Sequence, residues 1–344
     1  MYPLVPSDGF KYPGEDTYVL DILPVATGLA ATASDQTLSL FDPFRLSQGP
    51  IRKITTDHGN IKAANVYSGL NSVICTSGEN GTVSVWDLRA DPASARALQI
   101  EGNQPGLLSL SCSEESNALV AGTELANHQA SILIWDLRSP QTPKSQYHEV
   151  HSDDVTELAF HPSAPHLLLS GSTDGLVNVT DTRIADEDEA VQATFNHGSV
   201  HKAGFLSSSG GSGDSSPSTM LLYAASHDEK FALYDAAEGT GSGAPMLDLG
   251  DVRPVLGCQY IAGVVAKVDG NGAVVGVGAQ DQQMFQLIHL ANGPGGWGLD
   301  RDTVVGLPGA HGSELVRSFC FYDEQQVVFT AGEDGCVKAW RPGN

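Results

Sequence analysis

The sequence predicts an all-β protein, a single domain of seven four-stranded antiparallel sheets set in a ring. Three observations carry this. An anchor position, mostly aromatic and mostly followed by Asp, recurs at Phe41, Trp86, Trp135, Thr180, Tyr234, Leu287 and Trp340, with gaps of 45, 49, 45, 54, 53 and 53 residues. Six residues before the anchor stands Asp35, Asn80, Asp174, Asp228, Asp281 or Asp334, and only the third unit departs, where "TELANHQAS" carries an insertion. No long segment shows a helical period.

Within each unit the elements follow in order. A short apolar run ("VICTSG", "LLLSGS", "VVFTAG") leads to a turn, and an alternating strand ("VSVW", "VNVT", "VKAW") leaves it. Asn80-Gly81, Asp174-Gly175 and Asp334-Gly335 are hairpin signals, because both residue types tolerate the left-handed backbone of a tight turn. One such sheet cannot bury both faces by itself, whereas neighbours stacked around a ring can. The units run approximately over residues 17–56, 57–101, 102–149, 150–195, 196–250, 251–308 and 309–344. The last ends at "VKAWRPGN", directly after its third strand. The segment 1–16, with "GFKYPG", is therefore expected to supply the missing fourth strand and close the ring without an exposed edge. "SSSGGSGDSSPST" (207–219) has no core-forming residue and is expected to be a flexible insertion. Trp297, in the Gly-rich "NGPGGWG", either docks inward or awaits a partner.

A second spacing lies inside the first. His58, His151 and His311 precede their anchors by 28 or 29 residues, and Thr76, Ser170 and Thr330 precede them by ten or, for Ser170 before Thr180, also by ten. With Asn80, Asp174 and Asp334 they give three structural hydrogen-bond sets, two of them ending on a Trp: His58, Thr76, Asn80 and Trp86; His151, Ser170 and Asp174; His311, Thr330, Asp334 and Trp340. A half-buried indole N–H needs an acceptor. A hydroxyl can link it to His, and a carboxylate can fix the imidazole tautomer. The fourth unit has Thr180 in place of Trp, so its chain is expected to be shortened or rearranged. The fifth has His197 but Ala224 in place of the hydroxyl. In the repeated Trp-Asp-Leu-Arg of units two and three, Asp87 and Asp136 are expected to cap the strand end, and Leu88 and Leu137 to pack between sheets. Arg89, Arg138 and the corresponding Arg183 are left without a role in the fold.

Composition narrows the function. Apolar residues make up 41% and charged residues 17%, which suits a globular core. The net charge of −23, from 41 acidic and 18 basic residues, repels nucleic acid and anionic lipid and favours a basic protein partner. Residues 149–189 hold ten acids, among them Asp153, Asp154, Asp174, Asp186, Glu187, Asp188 and Glu189, against Arg183 alone. These are the candidate partner-binding residues, with "HSDD" expected on one face and "DEDE" on the opposite one. The five cysteines are odd in number and form no C-x-x-C pair, which suits reduced thiols inside the cell. The start lacks the basic and apolar regions of a signal peptide, and no apolar run has the length of a membrane span. There is no G-x-S-x-G. His197 and His201, like His148 and His151, are not spaced to share a metal on a strand. No catalytic residue, metal site or cofactor is expected.

The repeat resembles the WD-repeat β-propeller family. Stretches such as "HSDDVTELAFHPSAPHLLLSGSTDGLVNVTD", "SHDEKFALYD", "GDVRP", "ELVRSFCFY" and "AGEDGCVKAWRPG" resemble its WD repeat-containing protein 89 branch across all seven units. The resemblance implies a seven-bladed propeller and a non-enzymatic, monomeric scaffold of the cytoplasm or nucleus. It also implies links to ribosome production, with a ribosomal protein as the type of basic partner. A second implication is that the Asp-x-Arg endings at Arg89, Arg138 and Arg183 resemble the WD-x-Arg box, through which substrate receptors of cullin-RING ubiquitin ligases meet their adaptor.

Overall fold

The computed structural model describes residues 1–102, 106–206, 220–237, 243–267, 270, 272–293 and 295–343, so the insertion at 207–219 lies outside the described residues. The architecture is all-β. Strand β1 is Tyr2–Lys11. The first sheet is β2 (Val19–Val25), β3 (Gly28–Ala33), β4 (Thr37–Phe41) and β5 (Arg52–Thr55). The second is β6 (Ile61–Ser68), β7 (Val73–Gly78), β8 (Thr82–Asp87) and β9 (Arg96–Glu101). The third is β10 (Leu107–Ser113), β11 (Ala118–Thr123), β12 (Ile132–Asp136) and β13 (Ser145–Tyr147). The fourth is β14 (Val155–His161), β15 (Ala164–Ser172), β16 (Leu176–Asp181) and β17 (Val191–Asn196). The fifth is β18 (Val200–Leu206), β19 (Leu221–Ser226), β20 (Lys230–Asp235) and β21 (Leu247–Asp251). The remaining strands are β22 (Tyr260–Ala266), β23 (Ala273–Ala279), β24 (Met284–Gly293), β25 (Gly296–Pro308), β26 (Val316–Tyr322), β27 (Val327–Gly332) and β28 (Cys336–Pro342). With β1 they form one eight-stranded sheet in the order β22-β23-β24-β25-β1-β28-β27-β26. Helix among the described residues amounts to α1 (Glu187–Ala190), α2 (Arg253–Leu256) and three single 3₁₀ turns.

The sequence pattern explains the strands. The second strand of each set is buried on both faces, as in β3, β19 and β27, because a neighbouring sheet packs on either side. The apolar core is accordingly divided into clusters that each join two sheets. One, around Leu29, Phe41, Val327 and Phe329, joins the first sheet to β26–β28. The turns between second and third strands need a left-handed residue. Gly81, Gly175 and Gly335 supply it at φ of 74°, 95° and 75°. At Gly335 a Cβ would stand 2.5 Å from the Thr17 carbonyl oxygen, so glycine is required there for space as well.

β1 runs antiparallel to β28, with Pro6 opposite Trp340, Gly9 opposite Lys338 and Lys11 opposite Cys336. It also does something the sequence did not foretell. Its first residues pair in parallel with β25, Tyr2 opposite Val305 and Pro3 opposite Gly306, which fuses two four-stranded sets into one sheet. The cause is length: β1 outruns β28, and its free end meets the outer edge of the neighbouring set. Trp297 docks inward. The β24–β25 hairpin extends to Gly293 and Gly296 and packs the half-buried indole against the apolar cluster that joins the fifth sheet to β22–β24.

Candidate functional site

The three His sets differ in construction. In the last set Trp340 Nε1 donates to Thr330 Oγ1 at 2.8 Å, Thr330 lies 2.8 Å from His311 Nε2, and His311 Nδ1 lies 2.6 Å from Asp334. The consistent assignment passes each proton outward: indole to hydroxyl, hydroxyl to Nε2, Nδ1–H to carboxylate. Burial lowers the His311 pKa. Asp334 is itself desolvated, yet its hydrogen bond to His311 and the Lys338 ammonium hold its carboxyl below the usual range. In the second unit Trp86 donates to Thr76 at 2.7 Å and Thr76 meets His58 at 2.8 Å. Here Asn80 is not the next link. Thr82 stands between, 3.0 Å from His58 Nδ1 and donating to Asn80 at 2.8 Å, while the Asn80 amide donates to the Asp57 carbonyl at 2.8 Å. In the fourth unit His151 joins Ser170 at 2.8 Å and Asp174 at 3.0 Å, and the chain stops there, since the buried Thr180 hydroxyl has no hydrogen-bond partner among the described residues.

Two further units depart as their substitutions dictate. Ala121 occupies the register position of Thr76, so the buried Trp135 Nε1 has no partner among the described residues. In the fifth unit the Tyr234 hydroxyl reaches His197 Nδ1 directly at 3.0 Å, and His197 Nε2 turns to the Lys230 carbonyl at 3.1 Å.

The arginines are held by their own aspartates. Arg89 Nε and Nη2 donate to Asp87 at 2.9 and 2.7 Å, and its backbone N–H donates to the same carboxylate at 2.9 Å. Arg138 repeats this fork on Asp136, and Arg183 on Asp181. The three side chains remain 51%, 69% and 65% exposed. A fourth fork, Arg253 on Asp251, was legible as Asp-x-Arg in "GDVRP" but falls between β21 and β22, outside the anchor register. Leu88 is buried between the first two sheets.

The acidic residues are not equally free. Asp174 is a correction to the sequence reading: its side chain is 5% exposed and accepts from His151, from the Ser152 N–H and from the Leu176 N–H, so it offers no carboxylate to a partner. Glu187 is also committed, to the backbone N–H groups of His148 and Glu149 at 2.8 and 2.7 Å, which ties the "DEDE" segment to the chain leading into the His151 set. Asp186 caps the short α1 through the Asp188 N–H, and Asp154 accepts the Leu125 N–H at 2.7 Å. Asp153 and Asp154 are half-buried; Asp186, Asp188 and Glu189 are exposed.

A feature that sequence reasoning missed lies at the centre. The innermost strands β2, β6, β10, β14, β18, β22 and β26 line a channel of about 1070 Å³. Each of them carries a register shift near its start, at Val19/Asp21, Ile61/Ala63, Leu107/Ser109, Val155/Glu157, Val200/Lys202, Ile261/Gly263 and Val316/Ser318. Such a bulge re-aims the following side chain. In this way Asp21, Glu157 and Lys202 come to line the channel, with Lys202 Nζ 2.7 Å from Glu157 and Asp21 accepting the Ser318 hydroxyl at 2.6 Å. Desolvation raises both carboxyls and lowers His201, which also lines the channel, to about 4. The alternation of a regular strand cannot foretell a bulge, so the sequence held no signal for this arrangement.

Comparison with known proteins agrees with the repeat. The family model for the WD domain, G-beta repeat, matches residues 142–181 and 303–341. An uncharacterized WD repeat-containing protein of Saccharomyces cerevisiae, YNL035C, is 30% identical over 98% of this chain and 82% of its own length. Another from Schizosaccharomyces pombe, C63.06, is 30% identical over 95% of this chain and 96% of its own length. The WD repeat-containing protein 89 homolog of Dictyostelium discoideum is 26% identical over 66% of this chain and 57% of its own length.

Proposed function

Because this chain belongs to the WD-repeat family, whose members generally act as protein-interaction scaffolds, we propose that it is a non-enzymatic scaffold for a basic protein partner, built as one closed seven-bladed propeller. The ring reading is supported by seven sets of four strands, the last completed by β1, and by the apolar cluster joining the first set to the last. The blades then follow the repeat boundaries, and the free state of all five cysteines suits a monomer of the cytoplasm or nucleus. The observation that carries the partner reading is charge: ten acids against one base over residues 149–189, with Asp186, Asp188 and Glu189 exposed. A ribosomal protein has the required chemistry, and a role in ribosome biogenesis follows from that choice. Capture of partners by the full chain, followed by mass spectrometry at low and high salt, tests it. Basic proteins should dominate at low salt and fall away as salt screens exposed charges, whose reach is about 8 Å at physiological ionic strength. Asp153→Lys with Asp154→Lys should slow association roughly tenfold while changing dissociation less. Salt-independent capture would count against the reading.

A second reading, docking of a ubiquitin-ligase adaptor, is favoured by one observation. Arg89, Arg138 and Arg183 are fixed in a common orientation by their own aspartates while their side chains stay exposed. Wild type should then co-precipitate the adaptor, and the triple Arg→Ala variant should not. If wild type never recovers it, the forks are surface ion pairs, each worth at most about 1 kcal/mol.

A further inference from the structure

We propose that the channel section bounded by Asp21, Glu157 and Tyr223 is a binding site for an alkylammonium group, delivered as a lysine side chain of the partner. The inference rests on the basic-partner reading and gives it a pocket distinct from the acidic outer loops.

Gly204 makes the site possible. On β18 it leaves a gap that the ring of Tyr223, from the adjacent β19, crosses. A Cβ on Gly204 would stand 2.9 Å from the Tyr223 ring and 3.0 Å from its hydroxyl oxygen. Tyr223 is thereby only 9% exposed, lines the channel, and its hydroxyl has no hydrogen-bond partner among the described residues. The hydroxyl is open to the channel, so a donor that enters there can reach it. Burial also raises the phenol pKa, so the group remains a neutral donor and acceptor.

Two carboxylates stand with it. Asp21 spends one oxygen, Oδ1, on the Ser318 hydroxyl and the Ile22 N–H, and Oδ2 has no partner among the described residues. Glu157 holds Lys202 through Oε1, and Oε2 is likewise unfilled. The charges of Asp21 and Glu157 are near enough to act on each other, and Glu157 acts on the Tyr223 phenol. Lys202 offsets one of the two carboxylates, so this section keeps one negative charge. Three open oxygen acceptors and a residual negative charge suit an ammonium group with three donors. Leu110, Leu158 and Phe319 also line the channel and give it apolar surface for methylenes. An anion beside Lys202 would meet a cation already paired with Glu157, and a second carboxylate at Asp21.

The same chemistry is found in a free polyamine, and calorimetry on the full chain separates the sources. The probes are spermidine and a capped Gly-Gly-Lys-Gly-Gly peptide at low salt. The proteins are wild type, Tyr223→Phe, Asp21→Asn and an outer-loop variant, Asp186→Asn/Asp188→Asn/Glu189→Gln, all with melting controls. The lysine peptide should bind wild type, at least tenfold more weakly in Tyr223→Phe and Asp21→Asn, and with a smaller loss in the outer-loop variant. Spermidine binding with the same sensitivities but no binding of the peptide overturns the partner side chain as the source. Peptide binding lost only in the outer-loop variant overturns the channel site while leaving the basic-partner reading intact. Absence of heat with either probe at millimolar concentration overturns the inference, whereas the capture experiment decides the partner reading by itself.

Discussion

Removal of residues 1–15 is expected to produce the largest loss of stability and to turn the protein towards aggregation. β1 pairs along β28 from Leu4 to Lys11 and touches β25 at Tyr2 and Pro3. It is followed by Tyr12, which is 2% exposed and packs edge-on against Phe10, and Leu4 is buried against the β26–β28 core. Burying two such side chains is worth about 4 kcal/mol. A loss of that size should lower the melting temperature by roughly 5 °C. The truncated protein also presents the bare edge of β28, whose unpaired N–H and C=O groups are a template for another chain. Scanning calorimetry and light scattering on the truncated and full chains check this. An unchanged melting temperature would show that β1 merely lies against the sheet.

The second largest effect is expected from His311→Ala. It strands the Thr330 hydroxyl and the Asp334 carboxylate inside the last set, which should cost about 1–3 kcal/mol in urea unfolding. His197→Ala should cost less, because Ala224 already breaks its set and only the Tyr234 hydroxyl and one carbonyl lose a contact. Equal losses at both sites would mean that the hydroxyl link contributes nothing. The pH dependence has a definite sign. His311 is buried with a pKa below its ordinary 6.5, and Asp334 is held below its ordinary 3.8, so the folded state binds fewer protons than the unfolded chain at both groups. Stability therefore falls as pH drops below 6.5, first through His311 and further through the carboxylate range. His311→Ala should flatten the upper part of that fall.

The repeat itself belongs to the sequence. Anchor spacing, Asp/Asn turns and apolar alternation are local properties, and they determined an all-β chain of four-stranded units, the pairing of the N-terminal segment with β28, and the His–Ser/Thr partners in three units. The units and the His partners follow from fixed local offsets, and the N-terminal pairing from the fourth strand that the last unit lacks. The tertiary structure decided what depends on neighbours in space. Spacing put Asp174 both in the His151 set and among the partner-binding acids, and only the structure shows that His151 and two backbone N–H groups use up its carboxylate. Thr82 stands between Asn80 and His58, while the Asn80 amide donates to the Asp57 carbonyl. The seven bulges that turn Asp21, Glu157 and Lys202 into the channel follow from how strands twist and stack around a centre, and Tyr223 reaches it only because Gly204, nineteen residues earlier in the chain, leaves the space open. Residue order sets which groups a strand carries; which of them share a chamber is decided by packing between strands that the order alone does not bring together.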